Sequence, residues 1–129
     1  MTTDLACLVA NAIWGFALVI FEVMAKTKVA GVAWNRGNRE KTPEVPAWVD
    51  RVGRALANHK ENFPIFLTGV LVVHLTGKND GVATIACIVY VVARALHAIV
   101  YIAGIEGVRS AFFVIGCIGT LVVYSRLLF

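Results

Sequence analysis

The sequence predicts an all-α integral membrane protein, a bundle of four spanning helices forming one domain over residues 1–129. Three observations carry that prediction. Hydrophobic residues make up 59% of the chain and mean hydropathy is +0.77, more apolar than a soluble domain of this length. The apolar residues fall into four blocks, about 5–25, 63–76, 82–103 and 111–129, of which two come near the roughly 20 residues that cross a bilayer. Finally, the polar residues in and before the second and third blocks recur at helical spacing.

The first block, about 5–25, lacks a basic leader and follows Asp4, so it is expected to be a retained span rather than a signal peptide. The connection from about 26 to 49 is polar, holds Lys26, Lys28, Arg36, Arg39 and Lys41, and is kept from being helical by Pro43 and Pro46. The second span reaches membrane length only if the polar turns before Phe63 join it, giving about 50–76. Gly77-Lys78-Asn79-Asp80-Gly81 then turns the chain tightly into a third span at 82–103. Gly104–Gly107 leads into the fourth, at about 108–128. Five basic residues in the long connection, against Lys78 and Asp80 in the short turn, place the long loop in the cytoplasm and both termini on the opposite side.

Two polar faces stand out. Arg51, Arg54, Asn58 and Glu61 lie at i, i+3, i+7 and i+10, while Arg94, His97 and Tyr101 lie at i, i+3 and i+7. At about 100° per residue each set stays within roughly 80° of one helical face. A rise of about 1.5 Å per residue puts Glu61, Asn58 and Arg54 roughly 22, 27 and 33 Å from the Thr76 end. It puts Arg94, His97 and Tyr101 roughly 18, 22 and 28 Å from Val82. The helices run antiparallel, so both faces share the inner half of the membrane, where Arg109 and Ser110 open the fourth span. Ionisable side chains are costly at that depth and mark sites. One four-helix subunit has little interior for so many polar groups, so an oligomer with the site at an interface is expected.

Other signals exclude competing chemistry. Cys7, Cys87 and Cys117 lie within spans, show no metal-ligand spacing and read as packing residues; no metal is expected. The net charge of +4 comes without a basic arm or aromatic-interleaved patch, so it reflects topology and no nucleic-acid partner is expected. Glu22 in the first span raises a small proton-coupled exporter as an alternative. Its position beside Lys26 favours an ion pair at the membrane boundary. His59 and Lys60 are expected to point away from the Arg54–Glu61 face toward headgroups or a neighbouring subunit, and His74 to sit at the outer interface. Gly116 and Gly119 are expected to allow close helix approach.

The polar cluster offers Arg51, Arg54, Arg94 and Arg109 as cations and Glu61 as carboxylate. Asn58, His97, Tyr101 and Ser110 add neutral hydrogen-bonding groups. Arginines fork onto carboxylates, Glu61 suits an ammonium and Asn58 an amide. A tripeptide with two carboxylates, a free amine and a thiol fits the set. An arginine beside that thiol favours the reactive thiolate.

The segment Arg51-Val-Gly-Arg54-Ala-Leu-Ala-Asn58-His-Lys-Glu61-Asn-Phe-Pro64 resembles the second-helix signature of the MAPEG family, the membrane-associated proteins in eicosanoid and glutathione metabolism. Arg94-Ala-Leu-His97-Ala-Ile-Val-Tyr101-Ile-Ala-Gly104 resembles its third helix, and Arg109-Ser110 its start of helix four. The resemblance implies a homotrimer with glutathione, as cosubstrate, between subunits near the cytoplasmic face. Arg51, Arg54, Asn58 and Glu61 would hold it from the second helix, and Arg94, His97 and Tyr101 from the third. Arg109 would stabilise the thiolate, assisted by Ser110. This chain departs from some members at Ala57, Asn62 and His97, where those have arginine, tyrosine and tyrosine. The Trp34-Asn-Arg-Gly-Asn-Arg-Glu linker resembles the bacterial branch, which implies a bacterial inner membrane.

The expectation is a glutathione transferase or peroxidase acting on a hydrophobic small molecule or lipid hydroperoxide that arrives from the surrounding lipid. A non-catalytic lipid-binding or scaffold protein on the same fold is the alternative.

Overall fold

A computed structural model describes residues 1–41 and 43–128. Its elements are α1 (Thr3–Ala30), α2 (Val32–Arg36), α3 (Ala47–Leu75), α4 (Gly81–Ala103) and α5 (Val108–Ser125). The four long helices match the order expected from sequence. The short α2 is an addition: Val32–Arg36 forms one helical turn after Gly31, inside the stretch read as non-helical. Pro43 and Pro46 lie beyond it, so they stop the chain from continuing as helix without preventing that turn. Three helices, α1, α4 and α5, are long and apolar enough to cross a membrane. α3 falls outside that measure because Asp50, Arg51, Arg54, Lys60 and Glu61 crowd its first half, although at 29 residues it is the longest helix.

Each helix buries one stripe. On α1, Asp4, Leu8, Asn11, Gly15, Leu18 and Ala25 are buried at alternating steps of four and three, the seam that packs helices nearly antiparallel. On α3 the buried stripe runs Val52, Ala55, Leu56, His59, Phe66, Val70 and Val73. α1 packs on α3 and α4, while α4 and α5 form the closest pair. The core divides in two. A larger cluster around Phe66, Val70, Val73, Tyr90 and Val123 fills the end away from the long loop, with the Phe66 and Tyr90 rings stacked at 3.6 Å. Leu18, Ala55, Leu56 and Ala98 fill the loop end.

Close helix approach depends on glycines. A Cβ on Gly69 would sit 2.6 Å from the Tyr124 ring, and one on Gly119 would sit 3.1 Å from the Ala86 carbonyl. Outside this core the surface is apolar. Ile13, Phe16 and Met24 on α1, Ile85, Val92 and Ile99 on α4, and Ile118 and Leu121 on α5 are all exposed. That much apolar surface belongs in lipid or against other protein.

The end carrying the Thr76–Gly81 turn is held by polar contacts. Asp80 caps α4, its Oδ1 accepting from the Ala83 N–H at 2.8 Å, and its Oδ2 lies 3.2 Å from Arg126. Lys78 donates to the Leu127 carbonyl at 2.9 Å. His74, in the last turn of α3, is half-buried, with Nδ1 2.9 Å from Oδ2 of the buried Asp4. That contact ties the first turn of α1 to the last turn of α3.

Candidate functional site

The polar residues of α3 separate according to helical angle. Arg51 and Asn58 lie within about 20° of each other, on the flank that meets α4. Both are half-buried. Arg54 and Glu61 lie about 40–80° further round and are exposed. Arg54 is held along its own helix, its guanidinium 2.6 Å from Asp50 with the side chain 65% exposed. Asn58 accepts at Oδ1 from the Arg94 guanidinium at 2.5 Å, so the two polar faces expected at one depth do meet. Asn62, in turn, donates to the Asn58 backbone carbonyl at 2.8 Å.

Arg94 and His97 lie inside the bundle, 2% and 3% exposed. Gly116 makes room for Arg94 on the α5 side, where a Cβ would come within 3.0 Å of the arginine Cδ. Among the described residues, Arg94 Nε and Nη1 and His97 Nδ1 have no hydrogen-bond partner. His97 packs edge-on to Tyr101 at 5.6 Å and lies 6.2 Å from Phe113.

At the loop end of the bundle, α3, α4 and α5 enclose a cleft of about 120 Å³ lined by Arg51, Tyr101, Gly104, Ile105, Glu106 and Arg109. Arg51 is anchored through its Nε, which donates to the Ile102 carbonyl at 2.9 Å. Gly104 ends α4 with φ +78°, and a side chain there would meet the Arg51 Cζ at 3.1 Å. Glycine thus serves both the left-handed turn and the guanidinium. The Arg109 guanidinium stacks on Tyr101, 4.5 Å from the ring centroid, a cation–π arrangement that fixes its direction. Ser110 follows on the exposed side of α5.

Of the nine residues singled out from sequence, the structure brings Arg51, Tyr101 and Arg109 around one cleft and joins Asn58 to Arg94, with His97 packed behind Tyr101. It leaves Arg54, Glu61 and Ser110 on the outer surface of the single chain. Glu106 was not anticipated. Its signal was available: a carboxylate between two glycines, three residues before Arg109. His59 is a correction. It is 4% exposed and stacked on Phe63 at 5.6 Å, with Nε2 aimed at Gly15, where a Cβ would meet it at 2.5 Å. The missing side chain at Gly15 admits the ring to the interior. Lys60 does face outward. Glu22 pairs with Lys26 at 2.5 Å, as expected for the boundary of the first span.

A more spacious, apolar concavity of about 450 Å³ lies elsewhere, between α1 and α4, lined by Trp14, Leu18, Phe21, Ile99 and Ile102 among others. A third hollow, about 380 Å³, lies against Arg54 on the outer face of α3 and includes Lys26, Trp34 and Asp50. Among the described residues no group of His, Cys, Asp or Glu is arranged to hold a metal.

The family model that describes the MAPEG family matches residues 4–129, essentially the whole chain. The chain belongs to the MAPEG family. No curated protein matches it. MAPEG membership makes this a helical membrane protein related to glutathione and eicosanoid metabolism, with α1, α4 and α5 suited to lipid. Of the residues that carried the resemblance from sequence, Arg51, Tyr101, Gly104 and Arg109 line the cleft, and Asn58 and Arg94 are bonded to each other.

Proposed function

We propose that this MAPEG protein activates glutathione as its thiolate and delivers it to a hydrophobic electrophile or a lipid hydroperoxide. The observation that carries the proposal is the Arg51–Tyr101–Arg109 cleft, where two cations face one small concavity at the end of an apolar bundle. The side chains present fit the tripeptide. Arg51 and Arg54 suit its two carboxylates, Glu61 its ammonium, and the Asn58 amide its peptide groups. Ser110 provides a hydroxyl beside Arg109. Arg109, held by Tyr101, supplies positive charge where the thiol loses its proton, which favours the thiolate. Arg94 and His97 set the orientation of Asn58 and Tyr101 from behind.

Arg54, Glu61 and Ser110 face outward while Arg51, Tyr101 and Arg109 line the cleft and Asn58 is turned to Arg94, which supports a site completed between subunits of a homotrimer. In that arrangement α3 would be the fourth span, its charged half covered by neighbouring protein instead of lipid. The long loop would lie in the cytoplasm of a bacterial cell. The apolar hollow between α1 and α4 supports an acceptor, or a lipid, arriving from the bilayer. It also favours a second reading, a lipid-binding protein without catalysis.

The test is a titration of glutathione into the purified oligomer, following the ultraviolet absorbance of the thiolate. A saturable signal that is lost in Arg109→Ala, together with conjugation or peroxidase turnover, supports the enzyme. Absence of any signal at saturating glutathione, with lipid retained on the protein, supports the second reading.

A further inference from the structure

Among the described residues Glu106 is the one carboxylate lining the cleft, and it sits on a short loop with a fixed backbone. The loop between α4 and α5 is only Gly104–Gly107, with positive φ at both glycines (78° and 75°), and the Glu106 carbonyl accepts from the Val108 N–H at 2.8 Å. Arg51 is tied to the Ile102 carbonyl and Arg109 to the Tyr101 ring. Among the described residues the ion pairs are Glu22–Lys26, Asp50–Arg54, Asp4–His74 and Asp80–Arg126, so neither cleft arginine pairs with Glu106. Two cations and a carboxylate therefore share about 120 Å³ without closing on each other. They leave the cleft a net single positive charge, less than the two arginines alone would supply to an anion.

We propose that Glu106 is a tuning charge at this site: it offsets one of the two arginines, weakens the cleft's pull on anions, and so sets the acidity of the bound thiol. The proposal rests on the thiolate-activating reading above. The groups facing Glu106 are Arg51 from α3, Tyr101 from α4 and Arg109 from α5, with His97 and then Arg94 behind Tyr101. Of these, the arginines carry the permanent charges that bear on the bound thiol. A unit charge several ångströms away, at an effective dielectric of about 40, moves a neighbouring pKa by about one unit, and exposure reduces this to about half a unit.

The experiment compares intact wild-type oligomer with Glu106→Gln, Glu106→Asp and Glu106→Lys. The absorbance of the bound glutathione thiolate is titrated against pH at ionic strengths of about 0.01 M and about 1 M, where the screening length falls from about 30 Å to about 3 Å. Glu106→Gln is expected to lower the thiol pKa by about half to one unit, and Glu106→Lys by about twice as much. Glu106→Asp should stay near wild type, and the differences should shrink at high salt.

An unchanged or raised pKa in Glu106→Gln, with the thiolate signal intact, overturns the proposal. A second measurement keeps it independent of glutathione: inorganic sulfate should raise the thermal stability of Glu106→Gln at severalfold lower concentration than it does for wild type. If wild type gives no thiolate signal but sulfate still separates the two proteins, the glutathione reading fails and the role of Glu106 stands. If sulfate acts equally on both, the charge assignment is wrong.

Discussion

Removing the side chain of Asn58 should destabilise the protein more than removing Arg94 itself. Arg94 is 2% exposed, and among the described residues its one side-chain hydrogen bond goes to Asn58 Oδ1 at 2.5 Å, with Nε and Nη1 unpartnered. Asn58→Ala leaves a complete cation inside an apolar bundle with no acceptor. A hydrogen bond to a charged group is worth about 1.5–3 kcal/mol, and stranding the buried partner adds to that. The expected loss is therefore about 3 kcal/mol, or roughly a hundredfold in the folding equilibrium.

Arg94→Met removes the charge together with its desolvation cost and fills much of the same volume. It leaves only the Oδ1 of a half-buried amide, so its loss should be about 1 kcal/mol or less. The double variant should then be more stable than Asn58→Ala alone, a coupling that additive sites cannot give. Unfolding in mixed micelles with increasing sodium dodecyl sulfate, followed by helical circular dichroism, measures all three. Additive losses, or Arg94→Met proving the more damaging single change, would refute the idea that Asn58 exists partly to satisfy Arg94.

Three further perturbations follow from the packing. Gly15→Ala places a Cβ 2.5 Å from the buried His59 ring and should cost about 1–3 kcal/mol, whereas Gly81→Ala meets nothing within 4 Å and should be neutral or slightly stabilising, as thermal unfolding in detergent would show. Asp4→Ala should loosen the α1–α3 end by removing the partner of His74, which proteolysis near the N-terminus would detect as faster cleavage. Asp80 is held below the usual carboxylate range, first by the Ala83 N–H and also by Arg126. A depressed folded-state pKa stabilises above the unfolded value of about 3.9 and is lost as pH falls through the folded one. Asp80→Ala should therefore lower the unfolding temperature at neutral pH, with the difference from wild type disappearing in strong acid, while Asp80→Asn should retain most of the cap.

Helical order was legible because hydropathy and periodicity act locally. The four long helices, the tight turn at 77–81 and the link at 104–107 all follow from block lengths and glycine placement. That both polar faces share the inner half was legible too, but not the pairing: the rise per residue puts Asn58 roughly 9 Å from the depth of Arg94 and nearer that of Tyr101, whereas its contact is with Arg94. What one helix cannot reveal is which flank its neighbours take. A face about 80° wide was read as a unit, yet α4 covers only its Arg51–Asn58 side and leaves Arg54 and Glu61 outside. His59 was misplaced for the same reason: on its own helix it lies away from the polar face, and only Gly15 on α1 explains why that direction is the interior. The one-turn α2 carries too few residues for a periodic signal.

The split of the polar face has its own consequence. A charged side chain that faces lipid at depth is costly, and the first half of α3 presents Arg54, Lys60 and Glu61 on the outside of the chain. Arg54 is only partly compensated by Asp50. Either this half of α3 stands clear of the hydrocarbon or another surface covers it. Clearance is limited, because Ala55 and Leu56 in the same turns pack against Leu18 of α1 and Ala98 of α4, well inside helices apolar enough to span. A covering surface would need to be polar at the same depth. The chain itself offers one in the hollow containing Lys26, Trp34 and Asp50, and another in the Arg51–Arg109 cleft with Glu106 at its edge. A second copy bringing the cleft against Glu61 would answer its charge and enclose the cleft in one step. The same burden that makes α3 a poor lone span thus gives the protein a reason to associate where its chemistry would lie.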